Sequence, residues 1–278
     1  MINTGNASRI PSGTQSEEHL DHGPWLFLLS GLGGEQRLFR GVPQVVPVQY
    51  MLWPEFFEQG NDYDVQFREV KAQIVAHRKG PVRMVGYSVG GMLAWACASS
   101  FQASGLPVES VIILDAHAYP DRAVPPPRAA RLMKRFDELL SFNVRAAMAS
   151  LTAKFLSKNS SASLLRRALP YRNSALPFDF HSFLNHKLNM QLQLPTILPW
   201  WNQITETMPK LNAPVFLFRS EEHEPSERQD LGWGELCSDV TVVPVAGSHN
   251  GMLEPENCQA LSESILRVLQ SAGTLTRS

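Results

Sequence analysis

Val85-Gly86-Tyr87-Ser88-Val89-Gly90-Gly91 is the stretch on which the reading of this chain turns. An apolar run, Val82-Arg83-Met84-Val85, leads into it, and an alanine-rich helical pattern, Met92-Leu93-Ala94-Trp95-Ala96, leads out. The centre reads G-x-S-x-G, a serine on a strand-to-helix turn. A residue at so sharp a turn is held in a strained backbone conformation, and side chains two positions away on either side would collide. Gly86 and Gly90 remove those side chains. The turn is expected to lift the Ser88 hydroxyl above a sheet edge, at the start of a helix whose dipole and unsatisfied N–H groups favour negative charge. The competing reading is a glycine-rich turn that holds a serine by chance, so the partners elsewhere in the chain decide.

Working outward, Trp25-Leu26-Phe27-Leu28-Leu29 is a continuous apolar run, the mark of a strand buried on both faces. It ends in Ser30-Gly31-Leu32-Gly33-Gly34. A phosphate cradle of the G-x-G-x-x-G type does not fit that spacing. An oxyanion loop does, with the backbone N–H groups of Leu32 and Val89 as donors. Val45 to Tyr50 reads as a second strand, Asp62 to His77 as an amphipathic helix, and the helix after Ser88 runs to about Ala103. Val111-Ile112-Ile113-Leu114-Asp115 is another buried strand, closing on an acid. Alternating strands and helices of this length predict a mostly parallel central sheet with helices on both faces.

The rhythm stops at Asp121. From there to Lys210 no strand is convincing, Pro125-Pro126-Pro127 opens the segment, and helical patterns cover Arg128–Phe142, Asn143–Lys158 and the region around His181–Leu192. Residues 121–210 are expected to form an inserted helical lid, with Phe142, Phe155, Phe183, Trp200 and Trp201 either lining it or serving as core. The sheet resumes with Ala213–Phe218 and ends with Asp239–Val245, and a helix follows from about Glu256 to Gln270. The core is thus read as 24–120 and 211–270, with a disordered arm over 1–23 and a tail over 271–278.

The 278 residues carry a formal net charge of −1, which gives no reason to expect nucleic acid or an acidic membrane surface as a partner. Cys97, Cys237 and Cys258 share no metal-ligand spacing and fit reduced thiols in a cytoplasmic chain. Neither a signal peptide in Met1–His22 nor a membrane span is read.

A nucleophilic serine needs a base, and the base needs an acid to orient it. In this topology all three belong on loops at the carboxyl edge of the sheet. His249 lies in Gly247-Ser248-His249-Asn250-Gly251, just past the last strand, and is the candidate base. His117 comes too early for the order Ser…Asp…His, and His223 sits in a charged loop. For the acid, Asp115 closes an apolar strand, where a lone carboxylate needs a partner. Glu221 or Glu222, after the next strand, stays open as the alternative.

Gly86–Gly91, Val111–Asp115 and Gly247–Leu253, in that order, resemble the thioesterase domains of nonribosomal peptide and polyketide synthases. The resemblance extends over about residues 24–270 and implies an α/β-hydrolase fold with a helical lid at 121–210. It places the acid at Asp115. It implies an acyl or peptidyl thioester substrate, presented on the phosphopantetheine arm of a carrier protein, and no cofactor or metal. The chain would pass to Ser88 and leave by hydrolysis or cyclisation. Two departures are the loop Ser30–Gly34, where the family often begins His-Pro, and Leu52-Trp53-Pro54-Glu55, where it is often glycine-rich. A free-standing carboxylesterase on small or lipid esters would use the same residues. A non-catalytic ligand-binding protein on the same fold is the third reading.

Overall fold

Alternate residues of single strands go to different cores. In Leu26–Leu29 (β1), Phe27 and Leu29 join one apolar cluster, and Leu26 and Leu28 join the other. Val82–Tyr87 (β3) divides Met84 from Val85 and Tyr87, and Val108–Leu114 (β4) divides Val111 and Ile113 from Ile112 and Leu114. A period of two along a strand places neighbours on opposite faces, so apolar runs without alternation require a sheet covered on both sides. The structure is a computed structural model that describes residues 26–31, 48–51, 62–122, 197–249, 251–253 and 255–271.

With Val48–Met51 (β2), Val215–Ser220 (β5) and Val240–Val245 (β6), the described strands form one six-stranded sheet in the order β2-β1-β3-β4-β5-β6. Every pairing is parallel. Pro244 lies in β6, where a missing N–H is tolerated because an edge strand pairs on one side only. The fold class expected from the sequence, a parallel sheet with helices on both faces, is the one observed.

Tyr63–His77 (α1) and Val89–Ala103 (α2) cover the first core. The Asp62 side chain caps α1 by accepting from the Val65 N–H at 3.0 Å. Phe67, Val70 and Ile74 of α1 are buried at helical spacing. The opposite face is closed by Pro255–Ser271 (α5), which contributes Leu261, Ile265 and Leu269, one every four residues. Residues 197–207 form a further helix (α3), and Trp233–Leu236 a short one (α4).

The chain passes from β1 to β2 on one side of β1 and then to β3 on the other. The order therefore reverses between β1 and β3, the kind of switch point at which open α/β sheets bind ligands beyond the carboxyl ends of their strands. Ser30 and Ser88 both stand at that point.

Several expectations lie outside the described residues: the arm over 1–23, Leu32, the lid between 123 and 196 with Phe142, Phe155 and Phe183, and the tail beyond 271. Trp200 and Trp201, the other two candidates for lining a lid, are core residues. Trp201 is fully buried, edge-on to Trp95 and Trp233 at 5.3 and 6.2 Å between ring centres. Trp200 packs on Tyr63 and Phe67 of α1.

Candidate active site

Ser88 sits between β3 and α2 at φ 55°, ψ −124°, a backbone conformation L-residues avoid. Its N–H donates to the Leu114 carbonyl at 2.9 Å, and its carbonyl accepts from Gly91 at 2.9 Å, so the strained residue is held from both sides. The flanking glycines are fixed by contact. A Cβ on Gly86 would lie 2.2 Å from the Gly90 carbonyl oxygen, and one on Gly90 would lie 2.3 Å from that of Leu29. The start of α2 thus rests directly on the end of β1. Val89 opens α2, where the first N–H groups have no intrahelical acceptor.

His249 reaches the site from the loop after β6. Its ring stacks on Tyr87, the neighbour of Ser88, with centres 4.9 Å apart and planes 23° apart. The Tyr87 hydroxyl donates to the His249 carbonyl at 3.0 Å, and the His249 N–H donates to Glu222 Oε2 at 2.9 Å. Both ring face and backbone are therefore held.

Asp115 takes the remaining hold. His249 Nδ1 lies 2.8 Å from Asp115 Oδ2. Asp115 is 4 % exposed and, like Ser88, has positive φ, at 53°. Its carboxylate also accepts from the Ser220 N–H at 2.7 Å, the Ser220 hydroxyl at 3.0 Å and His223 Nε2 at 2.9 Å. Burial alone would raise its pKa. The hydrogen bonds from His223 and His249, the His249 charge and the Ser220 amide outweigh that and hold it well below the usual carboxylate range. An ionised Asp115 only accepts, so its contact with Nδ1 of His249 is a hydrogen bond when Nδ1 carries the proton, which leaves the lone pair of a neutral ring on Nε2.

Glu221 and Glu222 both meet the backbone of the loop that carries His249. Glu222 holds the His249 backbone rather than its ring, and Glu221 accepts from the Gly247 N–H at 3.3 Å. Both are exposed. The structure thus gathers Tyr87, Ser88, Val89, Asp115 and His249 at one edge of the sheet.

Three contacts escaped the sequence reading. Tyr87 is one. A second is the clamp on the acid loop: Trp233 Nε1 donates to the Ala116 carbonyl and Trp201 Nε1 to that of Ala118, each at 2.7 Å. Tryptophan N–H groups seek partners when buried, but which carbonyl they find is a tertiary fact. The third is His223, which the sequence places in a charged loop. Its side chain is only 11 % exposed, its Nδ1 lies 2.8 Å from Glu227 Oε2, and His117 stands edge-on at 5.0 Å. His117, His223 and Glu227 bring potential ligand atoms within 4.8 Å of one another, the arrangement among the described residues closest to a metal centre. Burial pushes the Cys237 thiol up to about 12, which keeps it inert.

The family resemblance read from the motifs is borne out. Residues 68–170 match the family model described as thioesterase domain, a span that includes Ser88 and Asp115 and stops short of His249. The fold recurs in solved thioesterase domains. The Vlm2 thioesterase domain bound with a dodecadepsipeptide superposes at TM-score 0.55 and 17% identity, over 91% of this chain and 94% of that one. The NocB thioesterase domain, solved as a covalent complex with a fluorophosphonate nocardicin G analogue, also gives 0.55 at 17% identity, over 90% and 96%. In AB3403, a four-domain nonribosomal peptide synthetase, the match at TM-score 0.51 and 16% identity covers 88% of this chain and 19% of the other.

Proposed function

We propose that this chain is a serine thioesterase that releases an acyl or peptidyl chain from a carrier-protein thioester, with Ser88 as nucleophile, His249 as base and Asp115 as the acid that orients it. One observation carries the proposal above the others: the Asp115 carboxylate lies 2.8 Å from Nδ1 of a histidine that stacks against the residue preceding a strained serine.

In the first half-reaction Ser88 Oγ attacks the thioester carbonyl and its proton passes to His249 Nε2. The imidazolium is stabilised by Asp115. The tetrahedral oxyanion is met by the N–H of Val89 and, in this reading, that of Leu32. Collapse breaks the C–S bond, and the departing thiolate takes the proton from Nε2. In the second half-reaction His249 removes a proton from water, or from a hydroxyl or amine within the bound chain. That nucleophile adds to the acyl-serine carbonyl, and Ser88 leaves with the proton. Water yields a free acid and an internal nucleophile a ring. Every proton is moved by this chain's own groups.

The thioesterase family match supports the thioester class. The carrier protein is inferred from the synthetase context of the structural relatives, one of which is a multidomain nonribosomal peptide synthetase. Among the described residues no helix is long and apolar enough to cross a membrane.

The test is intact-mass analysis of the full chain mixed with acyl chains on carrier proteins. A mass increase equal to the acyl group is expected on the unmodified chain and none on Ser88→Ala. A fluorophosphonate that labels Ser88→Ala as well as the unmodified chain overturns the nucleophile. Equal kcat/KM for a simple p-nitrophenyl ester and for the carrier-bound thioester would favour a free-standing carboxylesterase instead.

A further inference from the structure

The acid of the site touches two imidazoles. Asp115 Oδ2 meets His249 Nδ1 at 2.8 Å, and Oδ1 meets His223 Nε2 at 2.9 Å. The other ring nitrogen of His223, Nδ1, lies 2.8 Å from Glu227 Oε2. A neutral imidazole offers one N–H and one lone pair, whereas an ionised carboxylate only accepts. With a carboxylate at each nitrogen, both contacts are hydrogen bonds only when His223 is an imidazolium. We propose that His223, held as an imidazolium between Asp115 and Glu227, is a positioning residue that fixes the Asp115 carboxylate and sets how much negative charge it offers His249.

The proposal rests on reading Ser88, His249 and Asp115 as the reacting set, and it adds two members behind the acid. A carboxylate has about four lone-pair sites. Those of Asp115 are taken by His249, His223, the Ser220 N–H and the Ser220 hydroxyl. Rotating the carboxylate away from His249 therefore breaks several charge-assisted bonds at once.

The charges explain why Glu227 is needed. A cation 2.9 Å from Asp115 offsets much of the negative charge that should stabilise His249 when it takes the proton from Ser88. Glu227 on the far side of His223 returns it, and the three groups together carry one negative charge. The other titratable neighbours of His223 are His117, edge-on at 5.0 Å, and His249 across Asp115. Burial and the His223 charge hold the His117 pKa below its ordinary value, so His117 does not compete for the proton. For His223 itself, burial opposes protonation, but Asp115 and then Glu227 outweigh it and the net shift is upward. A metal bound by His117, His223 and Glu227 is the rival arrangement, and it would take a ring nitrogen of His223 as ligand in place of an N–H.

Long-range 1H–15N spectra of the full chain with 15N-labelled histidine test the proposal at pH 7, with His223→Gln providing the assignment. Both His223 nitrogens are expected to be protonated, and the same signals are expected in Ser88→Ala. In kinetics, His223→Phe removes both donors and should lower kcat about ten- to a hundredfold, the effect of losing one hydrogen bond to a charged group, with KM unchanged. His223→Gln keeps a donor toward Asp115 and should recover most of that loss. The alkaline decline of kcat/KM expected as His223 loses its proton should vanish in His223→Gln. A neutral His223 at pH 7 overturns the proposal even if His223→Phe fails to fold. So does a His223→Phe enzyme with normal kcat and pH profile, or a change of spectrum and rate on adding zinc or a chelator. A chain inert toward both fluorophosphonate and carrier thioesters, yet showing the doubly protonated His223, counts against the reacting set alone.

Discussion

Replacing Asp115 with Asn keeps the shape of the side chain and turns one acceptor into a donor, and the surroundings dictate which. The Ser220 N–H belongs to the main chain of β5, lies 2.7 Å from Oδ1 and has no freedom to turn away. His223 approaches the same oxygen. The amide oxygen of the variant is therefore fixed on that side, and its NH₂ takes the place of Oδ2, facing His249 Nδ1. The Ser220 hydroxyl, 3.0 Å from Oδ2, can rotate to accept. His249 Nδ1 must then accept too, which moves the ring proton to Nε2 and leaves no base for Ser88. A wrong histidine tautomer costs about 10⁴ in turnover in the serine-protease triad, or about 5 kcal/mol on the barrier. Rapid-quench measurement of acylation at pH 7 should show a loss of that order. Acylation within tenfold of the unmodified chain, in a folded variant, would refute the reasoning and return Glu222 to consideration. Stability provides a second readout. The folded pKa of Asp115 is depressed below its unfolded value of about 3.9. Its contribution is therefore present above about pH 4 and lost as pH falls further, through the folded value. The stability gap between the unmodified chain and Asp115→Asn should be full at pH 7 and narrow below about pH 4 in thermal melts. A gap that widens on acidification contradicts the assignment.

Gly90→Ala drives a methyl group to 2.3 Å from the Leu29 carbonyl oxygen and 2.4 Å from that of Ser30, both main-chain atoms with little room to move. A loss of at least about 1–3 kcal/mol is expected, seen as a fall of roughly 2 °C or more in Tm; an unchanged Tm would mean that α2 does not rest on β1 as described. Tyr87→Phe keeps the ring against His249 and loses the hydrogen bond to its carbonyl, so kcat should fall by about fivefold or less. Tyr87→Ala removes the ring as well and should cost clearly more; equal kcat for the two variants would show that stacking does not hold the imidazole.

The sequence revealed most where a residue's surroundings are local. The elbow is the clearest case, because Gly86 and Gly90 lie two residues from Ser88 and the clash Gly86 avoids is with Gly90 and Gly91 themselves, whereas the contact of Gly90 with the end of β1 is distant in sequence. Strands β1, β3 and β4 were legible because burial on both faces writes itself as an unbroken apolar run. The helix expected over Asp62–His77 forms as Tyr63–His77, with Asp62 as its cap. For strand β5 the sequence pattern starts and ends two residues early, as Ala213–Phe218 rather than Val215–Ser220, and the end is missed because Arg219 and Ser220 are polar. They stay in the strand by pairing with Pro244 and Val245 of β6, which no local pattern announces. The role of Trp200 and Trp201 stayed open between lid lining and core for a related reason. Trp201 and Trp233 are far apart in sequence from the carbonyls of Ala116 and Ala118 they hold, and an aromatic pair after Pro199 reads equally well as a lid lining.

Those two misread residues of β5 also explain why the acid stayed open in the sequence. Leu114 pairs with Phe218, so the extension of β5 carries Ser220 to the level of Asp115, where its N–H and hydroxyl both land on the carboxylate. Had the strand ended at Phe218, the chain would turn away sooner and the first acids past it, Glu221 and Glu222, would be the natural partners for a histidine ring. With two more residues in register, the ring goes to Asp115, and the glutamates grip the loop that carries His249, Glu221 through Gly247 and Glu222 through the His249 N–H. Both groups of acids therefore serve the same histidine, one on its ring and the other on its backbone. The same extension starts the loop that places His223 against Asp115 and Glu227 behind it. The division of labour follows from strand register, which depends on β6 and β4 together and on no single stretch of the chain.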